Sequence, residues 1–134
     1  MSLRFRVFGI PVPQGSTRAF VVKGRPPIIT TASKGLGAWR NAIAASVEGR
    51  TIPNGGAFGV TLEFVLPRPK TLPKKVSHHI KRPDVDKLCR AALDALTHIV
   101  WNDDSQVVYI SVTKTYATPD RPPGLFGEIR SEEG

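Results

Sequence analysis

Four aspartates in the second half of the chain form two close pairs. Asp84 and Asp86 are two residues apart and follow a proline, and Asp103 and Asp104 are adjacent. Hydrolysis of a phosphodiester puts negative charge on the attacking and leaving oxygens, and carboxylates that hold Mg²⁺ supply the counter-charge and activate water. The pairs are therefore candidates for a magnesium site that cuts nucleic acid. The same residues also suit structural roles, because Asp84 can cap a helix and the second pair can form a turn.

The charge of the chain is unevenly distributed, which bears on this interpretation. The 134 residues carry a net charge of +8. Residues 1–83 hold fourteen basic and two acidic side chains, whereas residues 84–134 hold five basic and nine acidic ones. A basic body favours a polyanion partner through phosphate contacts and release of counterions. A basic surface that contains one acidic pocket is what a metal-dependent nuclease requires.

Length and composition exclude several classes of protein. The chain has room for one domain, spanning 1–134, and 40% apolar residues are enough to build a core. No apolar run approaches the roughly 20 residues of a membrane helix, and no signal peptide is visible. Cys89 is the single cysteine, which excludes an internal disulfide and a multi-cysteine zinc site. We expect a soluble, cytoplasmic protein with no membrane partner.

Hydrophobic periodicity predicts an α+β fold, a two-layer domain with a mixed β-sheet and two main helices. Strands are predicted over residues 3–10, 18–23, 28–31, 58–66 and 106–116, with an edge strand over 125–130. The second and third strands should form a hairpin. Helices are predicted over residues 34–47, with Ser33 as the N-cap, and over 84–100.

The second predicted helix would carry the first acidic pair. Its buried stripe is expected to consist of Val85, Leu88, Ala92, Leu96 and Ile99. On the opposite face, an aspartate and an arginine four residues apart, at positions 86 and 90, are close enough for an ion pair.

The two acidic pairs are separated by the length of this helix. Asp84 and Asp86 can share a ligand only if Asp84 is the extended residue before the helix. Asp103 and Asp104 follow a helix that would be about 25 Å long. The pairs therefore meet only if the helix ends sooner and the chain returns, or if the site assembles between subunits.

Residues 67–83 form a basic, proline-rich arm that predicts phosphate contacts, although such a run can also be a solvated loop. The candidate DNA-binding residues in and next to the arm are Arg68, Lys70, Lys74, Lys75, Lys81, Arg82 and Lys87. His78 and His79 are expected to be solvated rather than metal ligands. Cys89 and Trp39 are expected in the core, whereas Trp101 could belong to the core or stack on a base.

Residues 81–114 carry a compound motif with fixed gaps. It consists of K-R-P-D-V-D-K-L from Lys81, D-A-L from Asp94 and D-D-S-Q-V from Asp103. This motif resembles the RusA family of Holliday junction resolvases, whose pattern is basic residues, D-x-D-N-L, D-A-L and D-D-x-Q-V. The resemblance implies a homodimeric, Mg²⁺-dependent endonuclease that resolves four-way DNA junctions by paired symmetric nicks in recombination and repair. Branched DNA, and no small molecule, is then the expected substrate.

The resemblance also implies roles for single residues. Asp84, Asp86 and Asp104 would bind the metal, with Asp103 as a supporting or alternative ligand. Two positions depart from the family pattern. A catalytic lysine is replaced by Arg90, which keeps the charge but does not readily transfer a proton, and the asparagine after D-x-D is replaced by Lys87.

These departures keep two alternatives open. One is a non-catalytic nucleic-acid-binding protein that retains the fold. The other is a small basic interaction domain whose acidic turn binds another protein. Metal-dependent cleavage would separate the nuclease from both alternatives.

Overall fold

The fold is a four-stranded mixed sheet with two helices packed on one face, which confirms the predicted α+β class. A computed structural model describes residues 2–15, 17–20, 23–24, 28–31 and 34–132. The strands are β1 (Ser2–Phe8), β2 (Thr17–Phe20), β3 (Ile28–Thr31), β4 (Phe58–Leu66), β5 (Val107–Tyr116) and β6 (Gly124–Ser131). The helices are α1 (Leu36–Val47) and α2 (Val85–Leu96), and a short 3₁₀ turn spans Asp104–Gln106. None of the described helices is long and apolar enough to cross a membrane.

The strands are arranged in two sheets. The main sheet has the order β1-β6-β4-β5, in which β4 and β5 are parallel and the other neighbours are antiparallel. The predicted hairpin is present as an antiparallel β2–β3 pair. The predicted second strand extended over Val21 and Val22, which lie outside the described residues, as does the predicted cap Ser33.

The prediction that the last strand lies at an edge was wrong, because β6 lies between β1 and β4. A glycine at its centre permits this position. Gly127 pairs with Phe5 on one side and Leu62 on the other, and the Phe5 ring occupies the space that a side chain at 127 would need. The edges of the sheet are therefore β1 and β5.

One hydrophobic core lies between the sheet and the helices. Alternate residues of β4, among them Val60, Leu62 and Phe64, are almost fully buried beneath the helices. Trp39 and Cys89 lie in this core, as predicted, and so does Trp101, which resolves the open choice for that residue.

Both helices are shorter than predicted. Helix α1 begins at Leu36 because Gly35 precedes it with a left-handed backbone, φ +77°. Helix α2 ends at Leu96 rather than at residue 100. Thr97 turns to an extended conformation, and its side-chain oxygen accepts a 3.1 Å hydrogen bond from the Trp101 indole. Burial of Trp101, whose ring centroid lies 5.8 Å from that of Phe58, thus turns the chain out of the helix.

The prediction of the apolar stripe of α2 is confirmed at the centre of the helix and wrong at its two ends. Leu88, Ala92 and Leu96 are fully buried. Val85 is 37% exposed at the start of the helix, and Ile99 lies beyond its end.

Two glycine-to-alanine substitutions should change stability in opposite directions. In Gly127→Ala, the added Cβ would lie 2.2 Å from the Phe5 ring, and overpacking of this kind lowers the free energy of unfolding by about 2 kcal/mol. In Gly37→Ala, the methyl group meets no atom within 4 Å in the first turn of α1, so higher helix propensity should raise that free energy by about 0.5–1 kcal/mol. Urea unfolding measures both. A stable Gly127→Ala variant would contradict the central position of β6.

Candidate active site

The first acidic pair lies at the start of α2 in the arrangement that a shared ligand requires. Asp84 is the extended N-cap residue, with φ −73° and ψ 141°, and Asp86 lies in the first helical turn. The Asp84 carboxylate makes no capping hydrogen bond, and the Lys87 Nζ lies 3.9 Å from one of its oxygens. Both aspartates are exposed. Asp84 therefore does not cap the helix through its side chain, which was the structural role considered for it.

Arg90 lies one helical turn beyond Asp86 and is exposed. Its expected ion pair with Asp86 is absent from the part of the chain that the structure describes. The Arg90 guanidinium thus lies on the same face of α2 as Asp86 but forms no ion pair with it. This arrangement leaves its donors accessible to a phosphate.

A cavity of about 640 Å³ opens beside Asp84. Its charged wall consists of Lys81, Arg82, Asp84 and Lys87, and prolines of the arm and of the segment after β1 form much of the rest. Asp84 thus borders a pocket in which cations outnumber carboxylates. Such a pocket attracts a phosphate and sets it against a carboxylate that could hold a metal ion.

Lys114 fixes the chain that leads into Asp84. Its ammonium group donates hydrogen bonds to the carbonyl oxygens of Lys81, at 2.7 Å, and Pro83, at 3.0 Å. Lys114 was not among the residues predicted to be functional, although the pattern of β5 indicates it. Lys114 continues the alternation of Val108, Ile110 and Val112, so it is a charged side chain on a face of β5 that is otherwise apolar.

His79 was predicted to be solvated and is instead buried in the wall of the same cavity, with 9% of its surface exposed. Its ring packs against Tyr116, with 4.6 Å between the ring centroids. Burial, with a smaller contribution from the charge of Lys114, lowers the pKa of His79 below its ordinary value. His78 is exposed, as expected. Nothing in the sequence distinguishes the two neighbours.

The basic arm is shaped by Arg68. Its guanidinium donates to the carbonyl oxygens of Val76, at 2.9 Å, and Pro73, at 2.8 Å, and lies over the Tyr116 ring. These contacts hold the arm closed and occupy donors that were predicted to bind phosphate. The other candidates in the arm are exposed: Lys70, Lys74, Lys75, Lys81 and Arg82.

The second acidic pair forms a short turn before β5. The Asp103 carboxylate accepts a 2.9 Å hydrogen bond from the Ser105 backbone N–H, and this bond lowers the pKa of Asp103. The Gln106 side chain completes a capping box by accepting from the Asp103 backbone N–H. Asp103 therefore has a structural role, whereas Asp104 is exposed at the rim of a second cavity that also contains Asp94 and His98.

The two pairs lie at opposite ends of the β4–α2–β5 unit. The arm leaves the carboxyl end of β4, α2 returns along the sheet, and β5 starts again beside the first residue of β4. Lys114, which contacts the residues before Asp84, is seven residues beyond Val107, roughly 23 Å along the strand. Shortening α2 does not bring the pairs together. Within the described ranges, no three His, Cys, Asp or Glu side chains are grouped to hold a metal ion.

Comparison with known proteins relates the chain to a nuclease family and to a bacterial protein. A family model described as Endodeoxyribonuclease RusA matches residues 9–124, which is most of the chain. The chain is also 30% identical over 142 residues to the uncharacterized protein YqaN of Bacillus subtilis (strain 168), and the match covers 95% of this chain and 96% of that protein.

Protonation of His79 should destabilise the fold. Because the folded state lowers the pKa of His79, the unfolded chain binds this proton more tightly, and stability falls as the pH drops below the ordinary value of 6.5. The slope for one proton is at most about 1.4 kcal/mol per pH unit. Urea unfolding between pH 7 and pH 5 should show a steeper loss for the native chain than for His79→Gln. His78→Gln, which changes the exposed neighbour, should behave like the native chain. Equal slopes for the native chain and both variants would show that His79 does not cause the loss of stability at low pH.

Proposed function

Because the chain belongs to the RusA endodeoxyribonuclease family, we propose that it is a metal-dependent endonuclease that cuts branched DNA. Its expected substrate is the four-way Holliday junction, opened by paired symmetric nicks during recombination and repair. The family match over residues 9–124 carries this proposal. The exposed carboxylates at the start of α2, beside a cationic cavity, support it with a chemistry suited to phosphodiesters.

The donors at the start of α2 suit Mg²⁺. Asp84 makes no capping hydrogen bond, so its oxygens are accessible to a hard cation, and Asp86 offers a second carboxylate. Magnesium keeps several waters and is commonly bound by one or two protein carboxylates. We assign Asp84 and Asp86 as its ligands from one chain. Asp104, supported by Asp103, lies at the other end of the β4–α2–β5 unit and would complete the set only from the partner subunit of a homodimer. When bound, the ion would stabilise charge at the scissile phosphate and lower the pKa of a water.

The basic residues have distinct roles in this proposal. Arg90 would stabilise negative charge at the scissile phosphate, since it lies one turn from Asp86. Lys87 would orient Asp84 through their 3.9 Å contact and would also face the DNA. The exposed cations of the arm would bind backbone phosphates on either side. Phosphate contacts carry no sequence information, so the shape of the junction would dominate recognition.

Paired nicks require two sites that face two strands. A homodimer supplies them with one site per chain, and it relates the two incisions by symmetry. The homodimer is therefore part of the proposed function.

One observation favours a second candidate, a non-catalytic protein that binds branched DNA. Lys87 replaces the family asparagine and lies beside Asp84, where its charge competes with a metal ion. In that case the carboxylates would serve only as scaffold. Junction binding without Mg²⁺-dependent cleavage would identify this candidate.

The first test is Asp84→Asn on a synthetic four-way junction with Mg²⁺. Loss of one metal ligand should reduce the cleavage rate by at least about 100-fold. Junction affinity, measured in EDTA, should be unchanged or higher because a carboxylate facing phosphate is removed. Asp120→Asn, in an exposed turn outside the cavity, is the matched control and should cleave normally. Cleavage by Asp84→Asn at the native rate would show that the site lies elsewhere.

The second test is Arg90→Lys, which restores the family's residue type. Lysine keeps the charge and can also transfer a proton, so the cleavage rate should stay the same or rise. Arg50→Lys, an exposed residue outside the site, serves as the control. Complete loss of cleavage by Arg90→Lys alone would mean that the guanidinium has a role that an ammonium cannot perform.

A further inference from the structure

The cavity beside Asp84 has an inner wall that the roles proposed above do not use. We define this inner wall by the lining residues that are buried, which are Pro11, Leu66, His79 and Tyr116. Other lining residues are exposed and charged, namely Lys81, Arg82 and Asp84. Sites for small molecules combine largely apolar walls with a few polar groups, and a volume of about 640 Å³ is in their range. The cavity therefore suits a ligand with an apolar body and an anionic group.

Two polar atoms at this cavity lack hydrogen-bond partners. Gln14 and His79 both line it. The Gln14 Oε1 and the His79 Nδ1 are buried and form no hydrogen bond within the part of the chain that the structure describes. Such atoms are rare, because burial of a polar atom without a partner destabilises the fold. Neither atom has a hydrogen bond to lose, so a side-chain rotation that turns it toward a ligand breaks none.

The walls of the cavity are held in place before any ligand binds. The Gln14 backbone N–H donates to the carbonyl oxygen of Lys87, at 3.0 Å, which ties the segment after β1 to α2. The His79 ring packs against Tyr116, with 4.6 Å between the ring centroids. Prolines, whose backbone is restricted, contribute much of the lining: Pro11, Pro13, Pro67, Pro69 and Pro83. A preformed site loses little conformational entropy when its ligand binds.

A single nucleotide of DNA has the properties that this cavity requires. The faces of its base are apolar, the edge of the base carries hydrogen-bond donors and acceptors, and its phosphate suits Lys81 and Arg82. In a duplex, pairing and stacking occupy the base, so only an unpaired base can enter a pocket. The cost of unstacking a base is lowest where its pairing is already weakened, as it is at a branch point.

We propose that this cavity binds one unpaired base of the DNA, that Gln14 and His79 form hydrogen bonds to the edge of that base, and that Lys81 and Arg82 bind the adjacent phosphate. The bound base would then place the DNA backbone beside Asp84, so Gln14 and His79 position the substrate and act in its selection. The choice of DNA as the source of the base rests on the proposed nuclease function, whereas occupancy of the cavity by a base does not.

Stability and binding should respond to Gln14→Met in opposite directions. Methionine has a similar length and removes the unpartnered buried oxygen, so the midpoint of urea unfolding should stay the same or rise. Loss of a hydrogen bond to the base should lower the affinity for a four-way junction about 5-fold, measured in EDTA. Asn41→Ala, at an exposed amide of α1 outside the cavity, is the control and should bind normally. A fall in both stability and affinity would give Gln14 a structural role and overturn its assignment.

Abasic substitution identifies the bound base without any cleavage. Four-way junctions that each lack one base near the branch point are titrated with the protein in EDTA. One position should lower the affinity of the native chain by about 10-fold, because the base that fills the cavity is missing. That position should matter less in Gln14→Met and His79→Gln, and as much as in the native chain in His78→Gln, which changes an exposed residue. Equal affinity of the native chain for every abasic junction would overturn the base pocket.

Two further probes separate the base pocket from the nuclease function. A single-stranded oligonucleotide offers unpaired bases without a branch, and the native chain should bind it more tightly than Gln14→Met does. If the native chain does not prefer the junction to a duplex, the function on branched DNA fails, and the single strand still decides the pocket. A free deoxynucleoside monophosphate should compete weakly, since it lacks the neighbouring phosphates. Tight binding of this nucleotide, with no effect of abasic positions, would assign the cavity to a free nucleotide and contradict a DNA base.

Discussion

The parallel pairing of β4 with β5 fixes where the candidate functional residues lie in the fold. Two adjacent parallel strands need a crossover that carries the chain from the end of the first strand back to the start of the second. Here the basic arm turns the chain, and α2 makes the return. Residues before α2 must therefore lie at the carboxyl end of the strands, and residues after it must lie at the amino end. This topology, and not the length of α2, separates the two acidic pairs.

The same crossover concentrates positive charge where the arm meets the sheet. Arg68 closes the arm over Tyr116, and Lys114 fixes its last residues through two carbonyl oxygens. The arm thereby holds Lys81 and Arg82 around a cavity that Asp84 borders. Crevices at the carboxyl ends of parallel strands are common ligand sites. The position of the cavity follows from the fold, and its charge follows from the arm.

The sequence was sufficient for the parts of the fold that follow from local pattern. Alternation located β1, β4 and β5, and the 3.6-residue period located the centre of α2. Contacts distant in sequence decided the rest: burial of Trp101 ended α2 early, and the space at Gly127 placed β6 inside the sheet. At the candidate site, the motif predicts which carboxylates bind the metal, whereas their separation depends on topology. A lysine on the otherwise apolar face of β5 indicates from the sequence that Lys114 has a special role. No feature of the sequence indicates that His79 is buried.

The most direct test of the proposed function compares a synthetic four-way junction with a linear duplex of equal length, each incubated with Mg²⁺ or with EDTA. The proposed nuclease should make paired, symmetric nicks in the junction with Mg²⁺, and should cleave neither the duplex nor any DNA in EDTA. Tight binding to the junction without cutting would contradict a nuclease and favour a DNA-binding protein that retains the fold. Equal cutting of the duplex would contradict recognition of branched DNA.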